Sequence, residues 1–528
     1  MRANGVINEH YTFYKRSYLF RFVLLFHRIL NLMPAYFSSE IQIGNLRLGG
    51  QNPVRIQSMT NTPTMDTGAT VSQVIRLVEA GCELVRITAA NIREAENLAK
   101  IKDALRQKGI EIPLIADIHF MPETAEIAAK IVEKVRINPG NYVGSHHKNK
   151  RFTEQEYQDE LSLTAGKLLP LLEICKKHET TLRIGINHGS LSDRILFRYG
   201  NTPEGMVAAA MEFIKICHDA GFEKLVISLK ASHVPTMIAA NKLLIKNFLE
   251  ADYHYPVHLG VTEAGNGTAA RIKSAAGIGS LLAEGIGDTI RVSLTESPEK
   301  EIPVARKLVA FYGREHQSDN EPEISFYTSK KIVNRSIPLV ITHKKVEDSN
   351  HIKAKWDLEK SVHKPAGTRQ IIKLSYKNIP HEDLMLRAAA DFTRLISGKK
   401  TSGIWLENGE ESTPEQLSDL SLQILQALGM YYSKTEFVAC PSCGRTQFDM
   451  EAVLEKVKDR LGHKRGLKIA VMGCMVNGPG EMADADYGLV GAGPGKVTLF
   501  KNRQPVLKNI KWDDAVHELE LLIEKNEF

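Results

Sequence analysis

A chain of 528 residues, 43% apolar and 25% charged, is too long for one ordinary domain, and its composition excludes a disordered polyelectrolyte, a collagen-like repeat and a multi-span membrane protein. Its net charge of +6, from 68 Lys and Arg against 62 Asp and Glu, is too mild for a dedicated nucleic-acid binder, so no nucleic-acid partner is expected, while a local anionic ligand stays open. Six cysteines are sparse for a disulfide scaffold and fit a reducing, cytoplasmic setting.

Residues 1–39 form an N-terminal extension. The apolar stretch from Tyr18 to Leu30 is broken by Arg21, His27 and Arg28, and its uninterrupted run, Phe22 to Phe26, is far shorter than the roughly 20 residues a bilayer span needs. No membrane attachment is expected, and a start at Met33 is the alternative explanation of this segment.

From residue 40 to 314 one unit repeats: a short β-branched run, a polar loop, then helical apolar spacing. The predicted strands are Val54 to Gln57, Leu84 to Thr88, Pro113 to His119, Val135 to Asn138, Leu182 to Asn187, Leu225 to Ala231, Val257 to Thr262 and Thr289 to Leu294. Helices such as Thr70 to Ala80, Pro122 to Glu133, Pro203 to Ala220 and Ala269 to Glu284 lie between them. Eight such strands predict an α/β fold with a (β/α)8 TIM barrel; a doubly wound sheet is the alternative and lacks the Gly-rich fingerprint after its first strand.

Strands packed on both faces should be almost wholly apolar, and these are not. Arg86, Arg136, Arg183, Lys230 and Arg291 lie within or near the ends of five strands, accompanied by Asp117, His119, Asn138, Asn187, Ser228, Ser232, Thr262, Glu263 and Ser293. Singly, each cation reads as a rim ion pair. Five at equivalent points converge on one mouth, where their repulsion calls for a bound anion, most simply a polyphosphate gripped by Arg forks. Glu263, beside that cluster, is either an ion-pair partner or a proton donor or acceptor, and the second role is favoured. Asp117 and His119, two residues apart, are a weaker candidate metal pair.

Composition shifts after the barrel. Residues 315–434 read as a reduced α/β spacer, Lys-rich from Lys330 to Lys364, with a helix opened by Thr413 as N-cap, Pro414 at N1 and Gln416 at N3. Residues 435–528 carry Cys440-Pro-Ser-Cys443-Gly and Gly473-Cys474-Met-Val-Asn-Gly-Pro-Gly-Glu481. The first is a metal knuckle whose spacing lets both sulfurs face one metal group. A zinc site needs a fourth ligand from His or a carboxylate, and a thioredoxin-like pair leaves Cys474 unexplained. Three thiolates plus the carboxylate of Glu481 suit an iron-sulfur cluster with one labile iron. Gly491 to Lys496 lacks the spacing of a phosphate loop and is predicted to be a hairpin turn.

Taken together, the motifs resemble one family, the 4-hydroxy-3-methylbut-2-enyl diphosphate synthases of the non-mevalonate isoprenoid pathway. The resemblance rests on Arg55-Ile-Gln-Ser-Met-Thr60, Ala116-Asp-Ile-His119, Val135-Arg-Ile-Asn-Pro-Gly-Asn141, Arg183-Ile-Gly-Ile-Asn-His-Gly-Ser-Leu191, Gly260-Val-Thr-Glu-Ala-Gly265, Asp288-Thr-Ile-Arg-Val-Ser293 and the cysteine pattern. It implies a TIM barrel, a shortened insert and a C-terminal α+β cluster domain, with reductive opening of 2-C-methyl-D-erythritol 2,4-cyclodiphosphate by electrons from flavodoxin or ferredoxin. By motif, Arg86, Arg136, Arg183, Asn187, Lys230, Ser232, Arg291 and Ser293 would bind substrate and Glu263 would transfer a proton. Cys440, Cys443, Cys474 and Glu481 would hold a [4Fe-4S] cluster. Whether the cluster domain reaches the barrel within a monomer, across a homodimer or by a hinge is left open, as are two other functions: a barrel lyase or transferase with structural zinc, and a nucleic-acid binder using the Lys-rich middle.

Overall fold

The computed structural model describes residues 36–143, 151–315, 321–328, 338–342, 359–361, 370–396, 401, 403–476, 478–482 and 484–525. The extension through residue 35, and with it the Tyr18 to Leu30 segment, lies outside the described residues, as does most of the Lys-rich stretch. Among the described residues no helix is long and apolar enough to cross a membrane.

An antiparallel hairpin, β1 (Ile41–Ile43) and β2 (Leu46–Leu48), precedes the barrel. Alternate burial turns Ile41, Ile43 and Leu48 onto Leu84, Ile115 and Val226 at the starts of three barrel strands. The hairpin therefore plugs the N-terminal end of the barrel. Tyr36 donates to the Tyr255 carbonyl at 2.7 Å and Ser38 to Asp288 at 2.5 Å, so residues 36–39, predicted as extension, are packed on the barrel foot.

The barrel strands are β3 (Arg55–Met59), β4 (Leu84–Thr88), β5 (Leu114–Asp117), β6 (Lys134–Ile137), β7 (Thr181–Asn187), β8 (Leu225–Lys230), β9 (His258–Leu259) and β10 (Thr289–Ile290). All pair in parallel, in the order β8-β7-β6-β5-β4-β3-β10-β9. A parallel bridge from Ile227 to Val257 joins the two ends, and this closure eliminates the doubly wound sheet. Side chains cap the helices: Asp66 for Thr67–Ala80, Asn91 for Ile92–Gln107 and a Thr153–Glu156 capping box for Glu154–His178. Cys175 and Cys217 sit in helices, whereas Cys82 lies in the turn before β4; none of the six cysteines forms a disulfide.

Two predictions about β9 and β10 need correction. The regular strand of each is two residues long, flanked by an isolated bridge at Val257 and by single bonds from the Thr262 amide to Ala231 and the Arg291 amide to Leu259. The single helix expected over Ala269 to Glu284 is Gly267–Ser274 followed by a π turn, Ala275–Gly279, and Ser280–Leu282. The reason is steric. A Cβ at Gly279 would lie 2.7 Å from the Cβ of Ala390, so the small residues of the π turn admit the insert helix His381–Ile396 at short range.

The insert is a five-stranded mixed sheet of β11 (Glu323–Thr328), β12 (Leu339–Ile341), β13 (Glu359–Ser361), β14 (Ile371–Ser375) and β15 (Gly403–Glu407), ordered β12-β15-β14-β11-β13. Thr413 opens Pro414–Ala427 with the expected capping box. Ile372, Leu374, Leu384, Phe392 and Leu420 belong to the same buried cluster as the barrel helices, so the insert shares the barrel's core.

The C-terminal lobe is a sheet of β16 (Glu436–Ala439), β17 (Lys468–Met472), β18 (Tyr487–Gly493), β19 (Lys496–Lys501) and β20 (Gln504–Lys511). The first three are parallel and the rest antiparallel. Helices Met450–Leu461 and Trp512–Glu524 bury their apolar stripes on it. The Gly491 to Lys496 segment is a hairpin between β18 and β19.

Candidate active site

Strand register sets the cations side by side. Asp117, Arg136 and Arg183 are direct partners across β5, β6 and β7, Met59 pairs with Arg86, and Asn187 with Lys230. Because side chains alternate across a strand, these residues face the barrel interior together. With Ser228, Thr262, Glu263, Arg291 and Ser293 they line one cavity at the C-terminal mouth, and Cys440, Cys443, Arg445, Cys474 and Glu481 line its other wall.

The five predicted cations are not equivalent. Arg136 donates to Asp117 at 3.1 Å and to the Gly185 carbonyl at 2.8 Å; Arg291 forks onto Glu301 at 2.9 and 3.1 Å. Ser58 and the Leu294 amide also donate to Glu301, which fixes that carboxylate. Arg86 donates only to the Met59 sulfur, at 2.9 and 3.0 Å, and burial lowers its pKa to about 10. Arg183 is 1% exposed with Nε and Nη1 unpartnered. Burial, then the neighbouring guanidinium groups, push Arg183 and Lys230 well below their ordinary ranges. Two of the five cations thus form ion pairs with protein carboxylates; Arg86 feels the charge of Asp117 without bonding to it, and Arg86, Arg183 and Lys230 keep donors for a ligand.

Asp117 and His119 serve this charge network. Burial opposes ionisation of Asp117, but Arg86 and Arg136 overcome it and hold the carboxyl well below its ordinary range. His119 Nε2 lies 2.8 Å from Arg136 and 3.2 Å from Asp117, and burial followed by Arg445 lowers its pKa to about 3, so the ring is neutral. The pair that the spacing offered as metal ligands instead positions Arg136. Ser232 does not line the cavity; it sits half-buried after β8, and Ser228, on β8 itself, does.

The C-terminal lobe closes the mouth within one chain. The Ala439 amide donates to the Glu263 carbonyl and the Gly265 amide to Ala439, each at 3.2 Å, so β16 extends the loop after β9. Thr295 donates to the carbonyls of Ala439 and Cys440, and buried Lys273 meets Glu436 at 3.0 Å. Arg445 reaches Asp117 at 3.1 Å. Opposite, a Cβ at Gly189 would lie 2.5 Å from Gly480 and 2.7 Å from the Glu481 amide, so the loop after β7 and the Gly478–Glu481 turn touch backbone to backbone.

Glu263 sits at this seam with φ of +49°, a left-handed backbone costly for a residue with a β-carbon and held by the bonds to Ala439. It does not pair with the cations. Its carboxyl meets that of Glu481, a contact that requires a proton on one of them; burial raises both pKa values, and the charge of Glu263 raises that of Glu481 further. Glu263 Oε2 and Glu481 Oε1 are buried without partners. Burial, followed by the neighbouring Cys443 and Cys474, pushes the Cys440 thiol up, and the Gly473 amide donates to its sulfur at 3.2 Å.

Sequence reasoning missed Glu301 and Arg445. Glu301 stands ten residues beyond Arg291 in the first turn of Glu301–Tyr312, and Arg445 directly follows the Cys-x-x-Cys-Gly motif. Both are charges next to a named motif, which was the available signal.

Comparison with known proteins agrees with this architecture. Residues 38–306 match the GcpE TIM-barrel domain and residues 436–525 the GcpE protein C-terminal domain. The chain is 41% identical to a 4-hydroxy-3-methylbut-2-en-1-yl diphosphate synthase (flavodoxin) of Parabacteroides distasonis, covering 93% of this chain and 98% of that one. Enzymes of the same name from Porphyromonas gingivalis, at 40%, and Leptospira interrogans, at 35%, cover 93% and 92% of this chain and 97% and 96% of their own lengths. With both lobes matched and the relatives spanned nearly end to end, the chain belongs to the GcpE family, the 4-hydroxy-3-methylbut-2-en-1-yl diphosphate synthases (flavodoxin), which are oxidoreductases.

Proposed function

We propose that the protein reduces 2-C-methyl-D-erythritol 2,4-cyclodiphosphate by two electrons, opening its ring and expelling one hydroxyl as water, to give 4-hydroxy-3-methylbut-2-enyl diphosphate. The observation that carries this reading is the opposite chemistry of the two cavity walls: unpaired cations on one, three thiols and a carboxyl on the other. A soft trio of sulfurs with one oxygen suits an iron-sulfur cluster. Two further features fit it: the partnerless buried oxygen of Glu481 and the amide aimed at the Cys440 sulfur.

Cys440, Cys443, Cys474 and Glu481 would hold a [4Fe-4S] cluster, which when bound supplies the electrons singly from flavodoxin, the donor in the relatives' names, or from ferredoxin. Arg86, Arg183 and Lys230 neutralise the diphosphate, while Arg136 and Arg291, anchored by Asp117 and Glu301, orient it. Asn187 and Ser293 offer hydrogen bonds from the same wall. Glu263, placed between cations and thiols with its pKa raised, delivers the proton that the departing hydroxyl requires. The cavity measures about 100 Å³, below the ~300–1,000 Å³ of typical ligand pockets. Substrate entry therefore needs the lobe to lift at its seam, and reclosure excludes water. Cysteines held as thiols, without a disulfide, accord with a cytoplasmic location.

The test is anaerobic purification with iron and sulfide analysis, followed by turnover of the cyclodiphosphate with an artificial reductant. Iron, sulfide and formation of the allylic diphosphate are expected. Zinc alone, with no turnover, would replace this reading by a barrel lyase or transferase.

A further inference from the structure

A second cavity, of about 320 Å³, lies far from the mouth, between the barrel foot and the insert. Val54 before β3 and Gly285 and Gly287 before β10 form its barrel side, and helix His381–Ile396 supplies Arg387, Asp391 and Arg394 from the insert. Its lining holds three cations, Arg314, Arg387 and Arg394, and two carboxylates, Asp391 and Glu321. Arg314 at the edge is committed to Asp288 at 2.5 Å and to the Asn52 carbonyl at 3.0 Å. Asp391 accepts from the hydroxyls of Tyr312 and Tyr376 at 3.0 and 2.9 Å, and Glu321 is exposed at the rim.

Arg387 and Arg394 remain. Arg387 is 5% exposed and its Nε has no partner; its guanidinium lies 5.0 Å from the ring of Phe311, a contact that leaves its N–H donors unused. The Nε of Arg394 is also buried and unpartnered. Among the described residues neither guanidinium forms an ion pair or a hydrogen bond. Asp391 feels the charge of both guanidinium groups, yet its hydrogen bonds go to the tyrosines, so two forks of donors in one concave space present the geometry of oxyanion recognition. A buried donor without a partner costs stability and calls for a missing one.

We propose that this cavity binds a small, multiply charged anion, a phosphorylated or polycarboxylic metabolite, at a site separate from the barrel mouth. The anion would bridge the insert helix to the barrel foot through Arg387 and Arg394, with the Tyr312 side of the cavity as its floor. This assignment is independent of the reaction at the mouth, since it uses none of the same residues.

Calorimetric titration of the full chain with inorganic pyrophosphate, and separately with citrate, tests it. Pyrophosphate is expected to show two classes of site, one at each cavity. Arg387→Gln and Arg394→Gln should each weaken the second class by about tenfold and leave the first unchanged, as expected for loss of a charge-assisted contact. Arg183→Met should do the reverse. Retention of the first class certifies that each variant is folded, and Arg394→Lys should retain part of the affinity. Preference for pyrophosphate identifies a phosphorylated ligand, and preference for citrate a polycarboxylic one. Titrations with both anions that are identical in the wild type and the two Gln variants would overturn the proposal.

Discussion

The two walls of the active-site cavity are built on opposite plans. On the barrel side every cation issues from a strand or the residue just beyond one, so the hydrogen-bonded ladder sets its height and direction. On the lobe side the thiols and Glu481 come from loops and one short turn, and their positions depend on a few backbone contacts with the barrel. The barrel wall is rich in positive charge and built on strands; the lobe wall carries thiols and a carboxyl and is held by a seam. The difference teaches where each kind of damage should appear: barrel substitutions should alter anion affinity, and seam substitutions should alter turnover.

The largest effect is expected from Cys474→Ser, which should bleach or destabilise the cluster and reduce turnover to background while anion binding at the barrel wall survives. An unchanged visible spectrum would remove Cys474 from the ligand set. Next comes Glu263→Gln, which should lower kcat by roughly 10²- to 10⁴-fold, the range of general acid-base catalysis, with little change in cyclodiphosphate affinity. Equal loss of binding would make Glu263 a ligand contact and erase the contrast between the walls.

Arg183→Met sharpens the comparison from the other side. Removing a buried cation with no carboxylate partner should weaken diphosphate binding by about 2 kcal/mol or more. In the absence of ligand the same variant should unfold at a higher temperature, by about 1 kcal/mol or more, because mutual repulsion is relieved. A drop in both would show that Arg183 is structurally balanced. Gly189→Ala tests the seam. The added carbon meets Gly480 backbone, and overpacking of ~1–3 kcal/mol should oppose closure, lowering kcat more than affinity.

The smallest effect concerns protons. Burial, then Arg183, holds Lys230 at the cavity, and Lys134 deeper in the barrel strand β6, well below 10.5. A lysine depressed in the folded state binds fewer protons there than in the unfolded chain, so ligand-free stability should rise with pH from the depressed value toward 10.5. An arriving diphosphate restores the charges, so its binding should take up protons. Calorimetry in buffers of different ionisation enthalpy reads that uptake, and release in its place would refute the assignment.

How much of this was legible from residues alone varies by region. The eight β-branched runs and the recurring strand cations were readable because a parallel barrel strand repeats one local pattern, so period and punctuation carry the information, and the Thr413 cap was readable from its own four residues. The cysteine spacing was readable for a similar reason: a two-residue spacer is itself a local geometry. Strand ends were less so. Val257 to Thr262 and Thr289 to Leu294 have strand-forming residues throughout, yet regular pairing is confined to His258–Leu259 and Thr289–Ile290, with an isolated bridge at Val257 and single barrel bonds from the Thr262 and Arg291 amides.

Sequence therefore determined the barrel, the kinds of charge it would present and the donor set of the C-terminal lobe, since all of these follow from local periodicity and residue chemistry. Tertiary structure alone decided which cations stay unpaired, because the carboxylates that neutralise Arg136 and Arg291 are assigned by spatial proximity. It alone decided that Asp117 and His119 hold Arg136, that Ser228 and not Ser232 faces the cavity, and that Glu263 meets Glu481. Each of these is a contact between segments distant in the chain or between neighbouring strands, and no one-dimensional pattern encodes a distance across a cavity.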